Sequence, residues 1–288
     1  MATASLPTEP PWLITGAAGL LGSEIVRQAA GRWPLYGVIF QRQPQPRPGV
    51  SYLRLDVGDP AAVLRLLRAL RPQVIIHTAY RKAGPELERV TAAGAGHVAQ
   101  AATQIGARLI HVSSDVLLDG EHAPYDESAQ PASLHPYGRA KAEAERLVQE
   151  AAPAAAIVRT SLICQLDPPD PISGWIIDSL RHSQPITLFT DEIRSPVWVQ
   201  DLAAALIELA QTSYAGVLNV AGPQPLSRFE MGWRLARRLG LDPQAISAGR
   251  SLDSGLSRPR DCTLDVRRAQ RLLRTHLRSY DEGLALTP

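Results

Sequence analysis

Cysteine is almost missing from this 288-residue chain, which has only Cys164 and Cys262. Two thiols so far apart build neither a disulfide framework nor a spaced metal cluster, and they suit a reducing, cytoplasmic setting. Lysine is nearly as scarce. Lys82 and Lys141 stand alone among 30 basic residues, so each draws attention. An excess charge of one sign is also lacking, with 30 basic against 28 acidic residues and a net of +2. That balance argues against nucleic acid as a partner. No run approaches 18 apolar residues, so no membrane span is expected. Residues 1–11, MATASLPTEPP, have neither a basic nor an apolar signal-peptide region and read as a disordered leader.

What is present is core-forming: 45% of residues are hydrophobic and 20% charged. Short apolar runs at 12–15, 35–40, 51–55, 74–77, 108–112 and 154–159 read as strands. They alternate with helical spacing at 20–31, 61–70, 86–104 and 136–151. Such alternation predicts an α/β fold, a Rossmann-type doubly wound parallel sheet with a smaller C-terminal substrate lobe. After Cys164 the rhythm breaks. Pro168, Pro169 and Pro171 read as a loop, 201–211 as an amphipathic helix and 217–220 as a returning strand. Residues 227–239 read as a helix capped by Ser227. The stretch 242–262 has no period and reads as a binding loop. The expected organisation is a leader at 1–11 and a dinucleotide-binding core at 12–165, with returning elements at about 196–222. The lobe takes 166–195 and 223–288.

Between the first strand and helix lies Thr15-Gly16-Ala17-Ala18-Gly19-Leu20-Leu21-Gly22. Gly16 permits a tight turn, Gly19 lets a pyrophosphate approach the backbone, and Gly22 allows close helix–strand contact. The N–H groups of Leu20, Leu21 and Gly22 open the helix toward the phosphates. After the second strand, Phe40-Gln41-Arg42-Gln43 offers no carboxylate for a ribose 2′-hydroxyl and places Arg42 for a 2′-phosphate, so NADP(H) is favoured over NAD(H). Asp56, with Val57 beside it, ends the third strand where an adenine amino group could be met; its other reading is a cap for the helix near Pro60. Tyr137 and Lys141 are spaced i, i+4, so phenol and ammonium can converge on one helix face. A neighbouring Lys⁺ lowers a Tyr pKa and suits it to proton transfer. Ser113-Ser114-Asp115 ends the fifth strand, at the sheet edge where such folds bind ligands. His77, His97, His111, His122 and His135 lack paired spacing and read as structural groups. Trp175, Trp198 and Trp233 are read as core residues or as stacking platforms for a base.

These residues together resemble the extended short-chain dehydrogenase/reductases, most closely the dTDP-4-dehydrorhamnose reductase branch. That branch also contains the regulatory β subunit of methionine adenosyltransferase. The resemblance runs through TGAAGLLG at 15–22, HTAY at 77–80, SSD at 113–115, YGRAK at 137–141, VRTS at 158–161, SPVWVQDLA at 195–203 and RPRDCTLD at 258–265. It implies that Tyr137 protonates a keto-sugar oxygen while NADPH supplies hydride, and that Ser114 hydrogen-bonds the same oxygen. Lys141 would hold the nicotinamide ribose, and Thr78, Ala79 and Tyr80 would line the cofactor. Substrate would be met by Ser114, Asp115 and Trp198, with Arg258 and Arg260 toward a phosphate or base. No metal is expected, and the implied partner is a small molecule, a sugar nucleotide or a relative of one; a homodimer stays open. Three positions depart from the branch. Val116 stands where an aromatic is usual, 90–94 lacks the helix Asn, and 81–85 is not acidic. A catalytically silent cofactor-binding regulatory subunit, or an epimerase or dehydratase, remains the alternative.

Overall fold

The structure, a computed structural model, describes residues 10–133, 135–255 and 258–286. Most of the expected leader therefore lies outside the described residues. Pro10 and Pro11, counted with it, are held, since their carbonyls accept hydrogen bonds from Gln73 Nε2 and N.

The first half alternates as its sequence predicts: β1 (Trp12–Thr15), α1 (Leu20–Ala29), β2 (Leu35–Ile39), β3 (Val50–Arg54), α2 (Pro60–Leu70) and β4 (Val74–His77). Then come α3 (Gly94–Ile105), β5 (Arg108–Val112), α4 (Pro136–Ala151) and β6 (Ala156–Arg159). Every residue of β1, β4 and β6 is buried, as expected of strands covered on both faces. With β11 (Gly216–Asn219) these strands form a seven-stranded parallel sheet in the order β11-β6-β5-β4-β1-β2-β3. This is the expected doubly wound fold. The order reverses between β1 and β4, which makes the space beyond their carboxyl ends the switch point where such sheets receive ligands.

The remaining elements are β7 (Ile163–Cys164), α5 (Pro171–Arg181), β8 (Ile186–Phe189), β9 (Ile193–Arg194), β10 (Val197–Trp198) and α6 (Val199–Ala210). They continue with β12 (Leu226–Ser227), α7 (Arg228–Arg238), β13 (Ile246–Gly249), α8 (Arg267–Leu272) and α9 (Tyr280–Ala285). The chain forms two compact units. One comprises the residues up to Ser113 with Glu143–Ile157 and Leu206–Gly216; the other takes Ser114–Ala142, Val158–Ala205 and Val217 onward. The second unit has its own core, in which Ile176, Leu180, Leu188, Trp198, Leu235 and Ile246 pack together. Among the described residues no helix is long and apolar enough to cross a membrane.

Three expectations need correction. The proline-marked loop gives way at once to α5, because Asp170 accepts from Ile172 N and Ser173 N and Pro171 sits at the first turn, where its missing N–H costs nothing. The aperiodic stretch 242–262 contains β13, which pairs in parallel with β8. The helix expected at 86–104 opens as a π-helical turn over Glu88–Ala93 before α3 begins at Gly94.

Candidate functional site

In the first unit, the glycine turn and the segment after β4 are knotted around Thr15. Its Oγ1 lies 2.7 Å from His77 Nδ1 and accepts from Thr78 N (3.1 Å) and Ala79 N (3.3 Å). Thr78 Oγ1 returns a bond of 2.6 Å to Thr15 O. Gly16 has φ +68°, and a Cβ there would stand 2.8 Å from Thr78 Oγ1. A Cβ on Gly22 would fall 2.2 Å from Gly16 O. Both glycines are thus required by close approach. Gly19 heads α1 without a side-chain cap, so the first N–H groups of the helix remain for an anion.

Beside this turn lies a cavity of about 240 Å³, lined by Gly16, Ala18 and Gly19, by the 38–42 and 55–57 segments, and by Thr78, Ala79, Tyr80, Arg81 and Val90. It gathers eight of the expected cofactor positions: Gly16, Gly19, Arg42, Asp56, Val57, Thr78, Ala79 and Tyr80. Apolar walls, the glycine cradle and the uncapped helix fit the adenosine and pyrophosphate of a dinucleotide. Leu20, Leu21 and Gly22 do not line the cavity; they form the first turn of α1. Asp56 does not cap α2, since Asp59 does so through Ala62 N. Burial alone would raise the Asp56 carboxyl, yet Arg89 Nη2 at 2.9 Å and the Gly58 N–H at 2.9 Å hold it below the usual carboxylate range.

The second unit holds the expected reaction groups. Ser114 precedes a short 3₁₀ turn, Asp115–Leu117, and its hydroxyl donates to Asp115 Oδ1 at 3.2 Å. Tyr137 and Lys141 lie one turn apart on α4, the phenol half-buried and the lysine 4% exposed. The Tyr137 N–H donates to His135 Nδ1 at 3.2 Å, which helps to cap the helix. A Cβ on the buried Gly138 would fall 2.2 Å from both Val116 O and Ser133 Oγ. The helix that carries Tyr137 is therefore pressed onto the turn that carries Ser114.

Two expected substrate contacts are redirected by burial. Trp198 is 4% exposed, its ring stacks on Tyr280, and its Nε1 donates to Ser279 O, so it packs the core of the unit. Asp115 is equally enclosed and accepts from Ser161 Oγ at 2.5 Å; burial pushes its carboxyl up against the pull of Arg194 and Ser161. It shapes the Ser114 turn from within. Arg258 is exposed and approaches Glu192 at 3.5 Å, while Arg260 pairs with Glu121. Sequence reasoning missed Thr15, Phe40, Arg89 and the buried Arg194, and gave Arg81 no function. Among the described residues no group of His, Cys, Asp and Glu could hold a metal ion.

A family profile described as "RmlD substrate binding domain" matches residues 12–287. The dTDP-4-dehydrorhamnose reductase of Mycobacterium tuberculosis is 32% identical over 247 residues, 81% of this chain and 77% of that protein. Methionine adenosyltransferase 2 subunit beta of Xenopus tropicalis is 29% identical over 256 residues, covering 80% and 72%. Among solved structures, a hypothetical dTDP-4-dehydrorhamnose reductase from Sulfolobus tokodaii superimposes with a TM-score of 0.84 at 26% identity, over 95% of this chain and 98% of that one. MoeE5, solved with UDP-glucose and NAD, gives 0.80 at 25% identity over 96% of each chain.

Proposed function

The chain belongs to the RmlD substrate binding domain family and is an NAD(P)-dependent oxidoreductase of the extended short-chain dehydrogenase/reductase type; we propose that it reduces a carbonyl of a sugar nucleotide or related small molecule. In this reading the Tyr137 phenol gives its proton to the carbonyl oxygen, and Ser114 Oγ hydrogen-bonds that oxygen. Lys141, one turn away, assists the phenol and holds the nicotinamide ribose. The bound dinucleotide supplies the hydride. Gly16, Gly19 and the N–H groups of Leu20, Leu21 and Gly22 carry the pyrophosphate, Asp56 and Val57 face the adenine, and Thr78, Ala79 and Tyr80 wall the cavity. Arg42, with no acid beside it on its own loop, favours NADP(H). Segments 166–195 and 223–288 receive the substrate, with Arg258 and Arg260 toward its phosphates or base.

The observation that carries this reading is the Tyr137–Lys141 pair on a helix seated at Gly138 against the Ser114 turn. It is supported by a relative named for reduction of a dTDP-sugar and by a neighbour solved with a UDP-sugar. The test follows NADPH oxidation against 4-keto nucleotide sugars. Turnover is expected, and Tyr137→Phe should reduce it by ~10²–10⁴-fold with dinucleotide binding retained. Unchanged turnover in that variant overturns the acid role.

A second reading, a cofactor-binding regulatory subunit, is favoured by the likeness to methionine adenosyltransferase 2 subunit beta and by Val116 at the departed position. It would be supported by stoichiometric association with a methionine adenosyltransferase of the same cell and no NADPH oxidation on any keto sugar nucleotide.

A further inference from the structure

Arg81 borders the same cavity, and none of the roles above uses it. It follows Tyr80 on the segment after β4, whereas Gln41 and Arg42 follow β2. Its main chain is pinned: Arg81 N donates to Thr91 Oγ1 at 2.8 Å, and Thr91 Oγ1 is placed at 2.8 Å to donate to Arg81 O. Thr91 is 1% exposed and lies in the π-helical turn, so the anchor is rigid. The side chain is aimed as well, with Arg81 Nη2 donating to Gln41 Oε1. Gln41 steers the guanidinium without neutralising it, which a carboxylate there would do.

Charge around the cavity sharpens this placement. Of the residues that line it, Asp56 alone carries a carboxylate, and that group is engaged by Arg89 and the Gly58 N–H. The Gln41–Arg42–Arg81 rim is therefore cationic: Arg81 is near enough to help lower the Asp56 carboxyl, but that carboxylate's hydrogen bonds go to Arg89 and the Gly58 N–H. A phosphate monoester carries about −1.5 to −2 charge at neutral pH and can accept from two guanidiniums at once. A long side chain already tethered loses less freedom when it binds.

We propose that Arg81 is a specificity-determining residue, which joins Arg42 in a two-arginine clamp on the 2′-phosphate of NADP(H), with Gln41 as its guide. The inference rests on the dinucleotide reading above and deepens it.

The experiment titrates the intact protein with NADP⁺, NAD⁺, 2′,5′-ADP and 5′-AMP by calorimetry, in the wild type, Arg81→Ala, Arg81→Gln and Arg42→Ala. In Arg81→Ala, NADP⁺ and 2′,5′-ADP are expected to weaken by about tenfold or more, while NAD⁺ and 5′-AMP change by less than about twofold. Arg81→Gln keeps a donor toward Gln41 but no charge, and should lose the same preference if the alanine variant fails to fold. Equal weakening of all four ligands would mean a structural role and overturn the clamp, as would unchanged NADP⁺ affinity. A wild-type preference that survives loss of Arg81 but not of Arg42 defeats the clamp and leaves the cofactor reading standing. A wild type that binds NAD⁺ as tightly as NADP⁺, or none of the four ligands, defeats both.

Discussion

The two units hold irregular segments rigid at the ends of strands by opposite means. In the first, the glycine turn and the segment after β4 are tied without carboxylate or guanidinium: by one threonine hydroxyl, a histidine ring, backbone amides, and glycines that let main chains touch. In the second, the 258–262 segment is fixed by a buried charge. Arg194 is 2% exposed, and its guanidinium donates to the carbonyls of Ile193 (2.7 Å), Pro259 (2.8 Å) and Arg260 (2.8 Å). Glu192 and Asp115 flank it, at 3.5 and 3.8 Å. Burial alone would raise the Glu192 carboxyl; Arg228, Arg194 and Arg258 outweigh it and hold the group below its ordinary range. A knot without ion pairs suits a segment proposed to accept and release an anion, since no ion pair has to rearrange. A buried guanidinium suits a long segment with little regular hydrogen bonding of its own, because it offers several donors to carbonyls at once.

That contrast breaks most readily at Arg194. Arg194→Met removes the donors of three carbonyls and leaves two enclosed carboxylates without their shared cation. Loss of one partner from a buried ionic group typically costs ~3–5 kcal/mol. Urea unfolding should show a loss of that size, and a loss below ~1 kcal/mol would mean that the charge network does not hold the second unit.

A matched pair of glycine substitutions sharpens the comparison. Gly16→Ala places a side chain at φ +68° and 2.8 Å from Thr78 Oγ1. A cost of ~1–3 kcal/mol is expected, with 2′,5′-ADP affinity down by about tenfold or more. Gly138→Ala meets the Val116 carbonyl at 2.2 Å and must move α4 off the Ser114 turn. Its expected signature is the reverse: kcat for carbonyl reduction falls by about tenfold or more while 2′,5′-ADP affinity is retained. If both variants lose ligand affinity equally, the division of labour between the two regions is wrong.

The first unit was the more legible in the sequence because most of its elements carry a local signature. A strand, a glycine turn and a helix lie together within 12–29, and buried runs such as Val74–Ile76 show as unbroken apolar stretches, although the Thr15 knot itself closes across 62 to 64 positions. Arg81 escaped because its meaning depends on Gln41, 40 positions away. The second unit carries fewer local marks. β13 pairs with β8 across some 60 positions, and Ser247 and Ala248 face solvent, so no apolar alternation marks that strand. Arg194 reads as one arginine among many until the fold buries it. Pro171 looked like a breaker because its tolerance at a first helical turn depends on the Asp170 cap being formed. Trp198 was expected at the substrate because an aromatic in an irregular stretch carries no sign of which face is covered; its stacking on Tyr280 decides it.

The smallest effect is expected where the second unit carries a charge pair at its surface. Asp265 accepts from Arg267 N at 3.0 Å and pairs with the Arg267 guanidinium, and that side-chain hydrogen bond, first among the causes, brings its carboxyl down to about 2. The ordinary value, 3.8, stands for the unfolded chain. A depressed carboxyl stabilises the fold fully above the unfolded value and loses that contribution as pH falls through the folded one. The window is therefore about pH 4 down to pH 2. Arg267 is 77% exposed, so water and salt screen the pair heavily. Asp265→Asn should lower the melting temperature by less than about 3 °C at pH 7, with the gap to the wild type closing as pH drops from 4 toward 2. Melting curves at pH 7, 4, 3 and 2.5 decide it. A gap as large as that of Arg194→Met, or one that widens in acid, would mean that exposed and buried charge contribute alike in this unit, and the contrast drawn between supports without and with ion pairs would lose its basis.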